Sequence, residues 1–186
     1  WEGGHREPFL ARWPGKIKPG AVCNDTICLT DLLATCAEVA GAKPPDDAAE
    51  DSVSFLPNLL GTANGPVREA TVHQSARGDL AIRQGPWKLV FLVEGRTELY
   101  NLKDDLGETR DVAAAQPDVV ARLTKLMQQY IDNGRSTPGA AQKNQANIRL
   151  DLEGRTNVKK KAKVNKAKGK RNKAKEMAMA QDPDFD

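Results

Sequence analysis

Between Arg68 and Leu102 four short runs of strand-like period follow one another, at 70–74, 80–83, 87–92 and 98–102. The segments between them, around Gly78-Asp79, Gln84-Gly85-Pro86 and Glu94-Gly95-Arg96, are only a few residues long. A parallel neighbour needs a crossover of a dozen or more residues, so spacing this tight demands antiparallel hairpins and a four-stranded meander. Pro117 is suited to the first position of a helix. From there Val119, Val120, Leu123, Leu126, Met127, Tyr130 and Ile131 stripe one helical face until Gly134 stops it. A helix on one face of an antiparallel sheet is an α+β module, expected over residues 64–135.

Ahead of it the pattern is different. Gly3-Gly4 permits a sharp bend, with Glu2 and Arg6 able to pair across it. Phe9-Leu10-Ala11 with Trp13 reads as a buried strand closed by a Pro14-Gly15 turn. A second short strand is expected at 25–29, then a helix capped by Thr30 or Asp31 and ended by Gly41. The segment 54–61 reads as an amphipathic turn that plugs a core. Arg83 and Lys88 are expected to face solvent or neighbouring strands.

Net charge, formally +3, conceals two halves. Residues 159–175 carry ten Lys and Arg and no acid, while the other 18 basic residues face 25 acidic ones. From 136 to 186 no apolar period appears, and such a composition cannot offset its ordering entropy, so a disordered Lys-rich tail is expected there. Its charge suits a polyanion, either sulfated polysaccharide or nucleic acid, although it offers no aromatic side chain for base stacking. No apolar run has the length of a membrane span. Cys23, Cys28 and Cys36 lack metal-ligand spacing and read as small apolar fillers.

Three blocks carry a resemblance. Glu2, Gly3, Gly4, Arg6, Pro8, Trp13, Pro14 and Gly15 fill every fixed position of the aromatic-E-G-G-x-R-x-P-x-x-x-x-W-P-G pattern of the type I sulfatases, the arylsulfatase family. Val72, His73, Ser75, Gly78, Ala81, Ile82, Arg83, Gly85, Trp87, Lys88 and Leu89 resemble the V-H-x-S-x-x-G-x-x-A-I-R-x-G-x-W-K-L run of bacterial members. Glu98 to Leu102, Asp105 and Glu108 continue as E-L-Y-N-L-x-x-D-x-x-E, with Leu106 where the family usually has proline.

The resemblance implies an α/β, alkaline-phosphatase-like sulfatase fold, present in part over residues 1–63, followed by the small sheet subdomain at 64–135 and the tail at 136–186. It implies hydrolysis of sulfate esters on a small molecule or polysaccharide, in the periplasm or outside the cell. The family uses a formylglycine made from the Cys or Ser of a C/S-x-P/A-x-R motif and a calcium ion held by Asp and Asn. None of the three cysteines, nor Ser54 or Ser75, stands in that motif, and the Asp-Asp and Asp-Asn pairs have no counterpart in this sequence. No catalytic or metal-ligating residue is therefore expected among these 186, and the fragment alone should be inactive. The resemblance places His73 at the mouth of the active site, and His5 beside the position of the family's active-site lysine, as the two candidates for substrate binding. The rival expectation is a catalytically inactive sulfatase-like protein whose tail binds polyanions.

Overall fold

A computed structural model describes residues 1–150. Residues 1–92 and 97–148 form one compact unit, and the other described residues, 93–96 and 149–150, belong to a second. The basic run 159–175 lies outside the described residues.

The meander forms as the spacing requires. Strands β1 (Thr71–Gln74), β2 (Leu80–Gln84), β3 (Trp87–Phe91) and β4 (Thr97–Asn101) pair antiparallel in sequence order. The register sets Val72 opposite Ile82, Ile82 opposite Leu89, and Leu89 opposite Leu99. Side chains alternate faces along a strand, so these four share one face. Helix α3 (Pro117–Asn133) packs against β2 and β3 and buries Leu123, Leu126 and Met127. It ends at Gly134, whose φ of 61° is the left-handed geometry of a helix stop.

The opposite face is unusual, because it carries both apolar and charged side chains and yet is buried. Ala81, Val90 and Tyr100 form a cluster there with Leu92 and Leu102. Thr71, Arg83, Lys88 and Tyr100 lie in register across the four strands beside that cluster. What closes over them is the N-terminal loop.

Residues 1–63 depart from expectation in two places. No strand forms at 9–13 or 25–29. Extended backbone becomes a strand only when a neighbour takes its hydrogen bonds, and among the described residues none runs beside either segment. Leu10 is left 94 % exposed, and Phe9, 44 % exposed, meets the ring of Phe55 edge-on at 5.4 Å. Helix α1 (Asp31–Val39) forms, but Thr30 makes no side-chain cap. Asp31 instead turns its carboxylate back to accept the Cys28 amide at 2.8 Å and the Val53 amide at 2.9 Å. Helix α2 (Leu56–Leu60) holds the plug, with Phe55 just before it 1 % exposed.

The start of the expected tail also differs. Arg135 is buried and donates from Nη1 to the Asp46 backbone carbonyl at 3.0 Å and to its carboxylate at 3.2 Å. Ser136 donates to Asp51, and Thr137 to the carbonyl of Glu50. These polar anchors order 136–142 with little apolar burial, so a search for hydrophobic period passes over them.

Candidate functional site

The first five residues lie across all four strands of the small sheet. A single 3-10 turn, Glu2–Gly4, sets their path: the amides of His5 and Arg6 both donate to the Glu2 carbonyl, at 2.9 and 3.0 Å. Trp1 meets Tyr100 of β4 edge-on, with ring centroids 5.9 Å apart. Glu2 reaches Lys88 of β3 at 3.2 Å and Arg83 of β2 at 2.7 Å. His5 stacks on His73 of β1, with ring centroids 4.3 Å apart and planes tilted by 34°. The two substrate-site candidates of the sequence thus come together in one place.

Beneath the loop is a cluster of four charges. Lys88 is 1 % exposed, and its Nζ lies 2.8 Å from Glu108 Oε1 as well as 3.2 Å from Glu2 Oε2. The Glu2 amide donates to the other Glu108 oxygen. Two carboxylates and two cations balance, which is the condition for burying such groups at all. Glu108 adopts a φ of 53°, uncommon outside glycine. The turn holding it there is built by Asp105, whose carboxylate accepts the Thr109 and Arg110 amides at 2.9 Å.

This arrangement corrects two expectations. Arg6 is exposed and Glu2 pairs elsewhere; Lys88 and Arg83, expected to face solvent or neighbouring strands, instead bind the loop. The pairing partners sit 81 and 86 residues apart in sequence, so the short spacing between Glu2 and Arg6 was the misleading cue. A usable signal did exist. All four charges occupy fixed positions of the three blocks, and a lysine inside the apolar run of β3 requires buried acids nearby.

Both imidazoles are held neutral at neutral pH. Burial, His5 and Lys88 together push the His73 pKa down from 6.5 to about 4, and Thr71 Oγ1 hydrogen-bonds its Nε2 at 3.0 Å. Burial and Lys88 also lower the value for the more exposed His5. The pair therefore offers neutral donors and acceptors rather than charge. The linkage has a definite sign: the unfolded chain binds the His73 proton near 6.5, the folded chain only near 4. Stability is full above pH 6.5, is lost as pH falls through the window from 6.5 to 4, and levels off below it. Discounting for screening, the loss is on the order of 2 kcal/mol. The urea midpoint of the wild-type chain should drop between pH 7 and pH 4.5, and His73→Gln should flatten most of that drop. Equal drops in both would show that the slope comes from other groups.

An open groove of about 1050 Å³ lies elsewhere, lined by Asp25, Arg68, Glu69, Arg83 and Lys103 among others. Arg68 and Arg83 there are already paired, with Asp31 and Glu2, and neither histidine lines it. Among the described residues no group of His, Cys, Asp and Glu is placed to hold a metal ion, and no helix is long and apolar enough to cross a membrane.

Comparison with known proteins gives the same direction throughout. Residues 1–135 match the family model described as N-sulphoglucosamine sulphohydrolase, C-terminal. The chain is 32 % identical over 143 residues to an N-acetylgalactosamine-6-O-sulfatase of Bacteroides thetaiotaomicron, covering 69 % of this chain and 28 % of that protein. It is 34 % identical over 156 residues to human arylsulfatase A, covering 68 % of this chain and 30 % of the relative. It therefore spans less than a third of the length of these relatives.

Among solved structures, one from work on glycosaminoglycan metabolism by Bacteroides thetaiotaomicron superposes with a TM-score of 0.56 at 31 % identity, over 63 % of this chain and 27 % of that one. Another, solved with its substrate D-glucosamine-2-N,6-O-disulfate, shares the fold with a TM-score of 0.55 at 24 % identity, over 67 % of this chain and 28 % of that one. The three motif blocks, the antiparallel sheet that unites them and the match across residues 1–135 make this chain a member of the sulfatase family, corresponding to its C-terminal region.

Proposed function

We propose that this chain is the C-terminal part of a sulfate ester hydrolase acting on sulfated sugars, and that His5 and His73 form one wall of its substrate pocket. The family match over residues 1–135 carries the reading, and the stacking of the two histidines at 4.3 Å gives it a location. Neutral imidazoles suit hydrogen bonds to a sugar hydroxyl or a sulfate oxygen, whereas the charges of Lys88 and Arg83 are already neutralised by Glu2 and Glu108. The residues present do not fit a calcium site or a formylglycine precursor. In the proposal those groups come from another part of the parent enzyme, where they supply the nucleophile and neutralise the charge of the transferring sulfuryl group. Residues 1–63 would belong to its α/β domain and 64–135 to its sheet subdomain, and a periplasmic or secreted location would follow from the family.

The test is sulfate release from a 6-O-sulfated hexosamine by the longest protein encoded around this chain, after formylglycine conversion, with His73→Ala beside it. The wild-type protein should turn over, and His73→Ala should raise KM roughly tenfold, the equivalent of one lost hydrogen bond at the site. Absence of sulfate release across a panel of sulfated mono- and disaccharides would overturn the reading.

A further inference from the structure

We propose that Lys88 is a positioning residue: acting through Glu2, it fixes where His5 lies against His73. On the loop side the ring contact depends on Glu2, which Lys88 shares with Arg83. His5 is exposed, and a Cβ on Gly3 or Gly4 would meet nothing within 4 Å, so no packing locks the loop at those positions. What fixes the loop is Glu2, which is 3 % exposed. Its carboxylate is held by Lys88 and Arg83, and its carbonyl holds the amides of His5 and Arg6. Both cations rise from interior strands, Arg83 from β2 and Lys88 from β3, but Lys88 is central because it also grips Glu108. Two loops distant in sequence, 1–6 and 105–110, are therefore referenced to one ammonium group. The chain of contacts runs Lys88, Glu2 side chain, Glu2 carbonyl, His5 amide, His5 ring, His73 ring.

The consequence for substrate rests on the pocket reading above, but the positioning itself does not, and the test separates them. The chain has two histidines, so two imidazole signals in a proton NMR spectrum report on His5 and His73. Groups facing the pair are Lys88, Arg83, Glu2, Glu108 and the amino group of Trp1. In the wild-type full chain a cross-ring nuclear Overhauser effect is expected, with both rings titrating below 6.5. In Lys88→Met the cross-ring effect should disappear and the His5 titration should move up to that of a free histidine, while the amides of Ile82 and Leu89 keep their dispersion. Lys88→Arg, which retains the charge, should restore part of the contact.

Should Lys88→Met alone unfold, Glu2→Gln with Lys88→Met removes both charges together, a change that buried pairs tolerate better than loss of one partner. That folded double variant should also lack the cross-ring effect. A persistent cross-ring effect in either folded variant overturns the proposal. In the parent enzyme Lys88→Arg should raise KM several-fold with kcat within twofold. If the NMR change occurs and KM stays put, Lys88 positions the pair and it is the pocket reading that fails.

Discussion

Replacing Glu2 with alanine is expected to destabilise the chain by about 3–5 kcal/mol, the range for removing one partner from a buried ion pair. Lys88 is 1 % exposed and cannot turn to water, and Arg83 loses the carboxylate it holds at 2.7 Å. Glu108 remains, at 2.8 Å, and keeps the lysine from being wholly unpaired, which places the expected loss nearer the lower bound. Glu2→Gln should recover less than its shape suggests, because a neutral amide leaves the cluster with two cations and one anion. Arg6→Ala is the control, since its side chain is exposed and surface changes of this kind stay within about 0.5 kcal/mol. Urea unfolding of the three variants against wild type gives the answer. A loss under about 1 kcal/mol for Glu2→Ala would mean that Glu108 alone suffices for Lys88, and that the loop is held by Trp1 and the backbone.

How much of this was legible in the sequence depended on whether the cause was local. The meander and α3 were readable because turn length and helical period are properties of neighbouring residues, and their ends fall within a residue or so of expectation at Pro117 and Gly134. The strands expected at 9–13 and 25–29 failed for the converse reason. Apolar runs there do mark surface that seeks burial, but a strand also needs a partner, and no local pattern supplies one. The docking of 136–142 was missed because it rests on Arg135, Ser136 and Thr137 bonding to residues 46–51, some ninety positions back, with hardly an apolar group involved. At the site, His73 and His5 were identified singly through resemblance. Their stacking and the four-charge cluster beneath them are relations between blocks, and those appear only when the chain is folded. Lys88 could have been suspected, since an ammonium within a run that reads as buried has to find acids somewhere.

The second large effect is expected at Asp31, the charged side chain that ties α1 to the segments around it. It is fully buried, and three donors converge on it: Arg68 Nη1 at 2.6 Å and the Val53 amide at 2.9 Å on Oδ1, and the Cys28 amide at 2.8 Å on Oδ2. Asp31→Ala should cost about 3–5 kcal/mol, because Arg68, itself only 5 % exposed, keeps its charge without a carboxylate. The informative variant is Asp31→Asn. A carboxylate accepts at both oxygens, whereas an amide must turn its NH₂ toward one of these positions. In one orientation it opposes the Cys28 amide, and in the other it opposes Val53 and the Arg68 guanidinium. Neither satisfies the site, so this near-isosteric change should be almost as damaging as alanine. With a urea dependence of about 2 kcal/mol per molar, both midpoints should fall by roughly 1.5–2.5 M. Arg68→Met with Asp31→Asn should recover part of the loss by removing the stranded cation. If Asp31→Asn unfolds with the wild-type midpoint, the acceptor role fails and α1 is held by Ser52 and Thr35, which bond the Ala34 and Phe55 amides, instead.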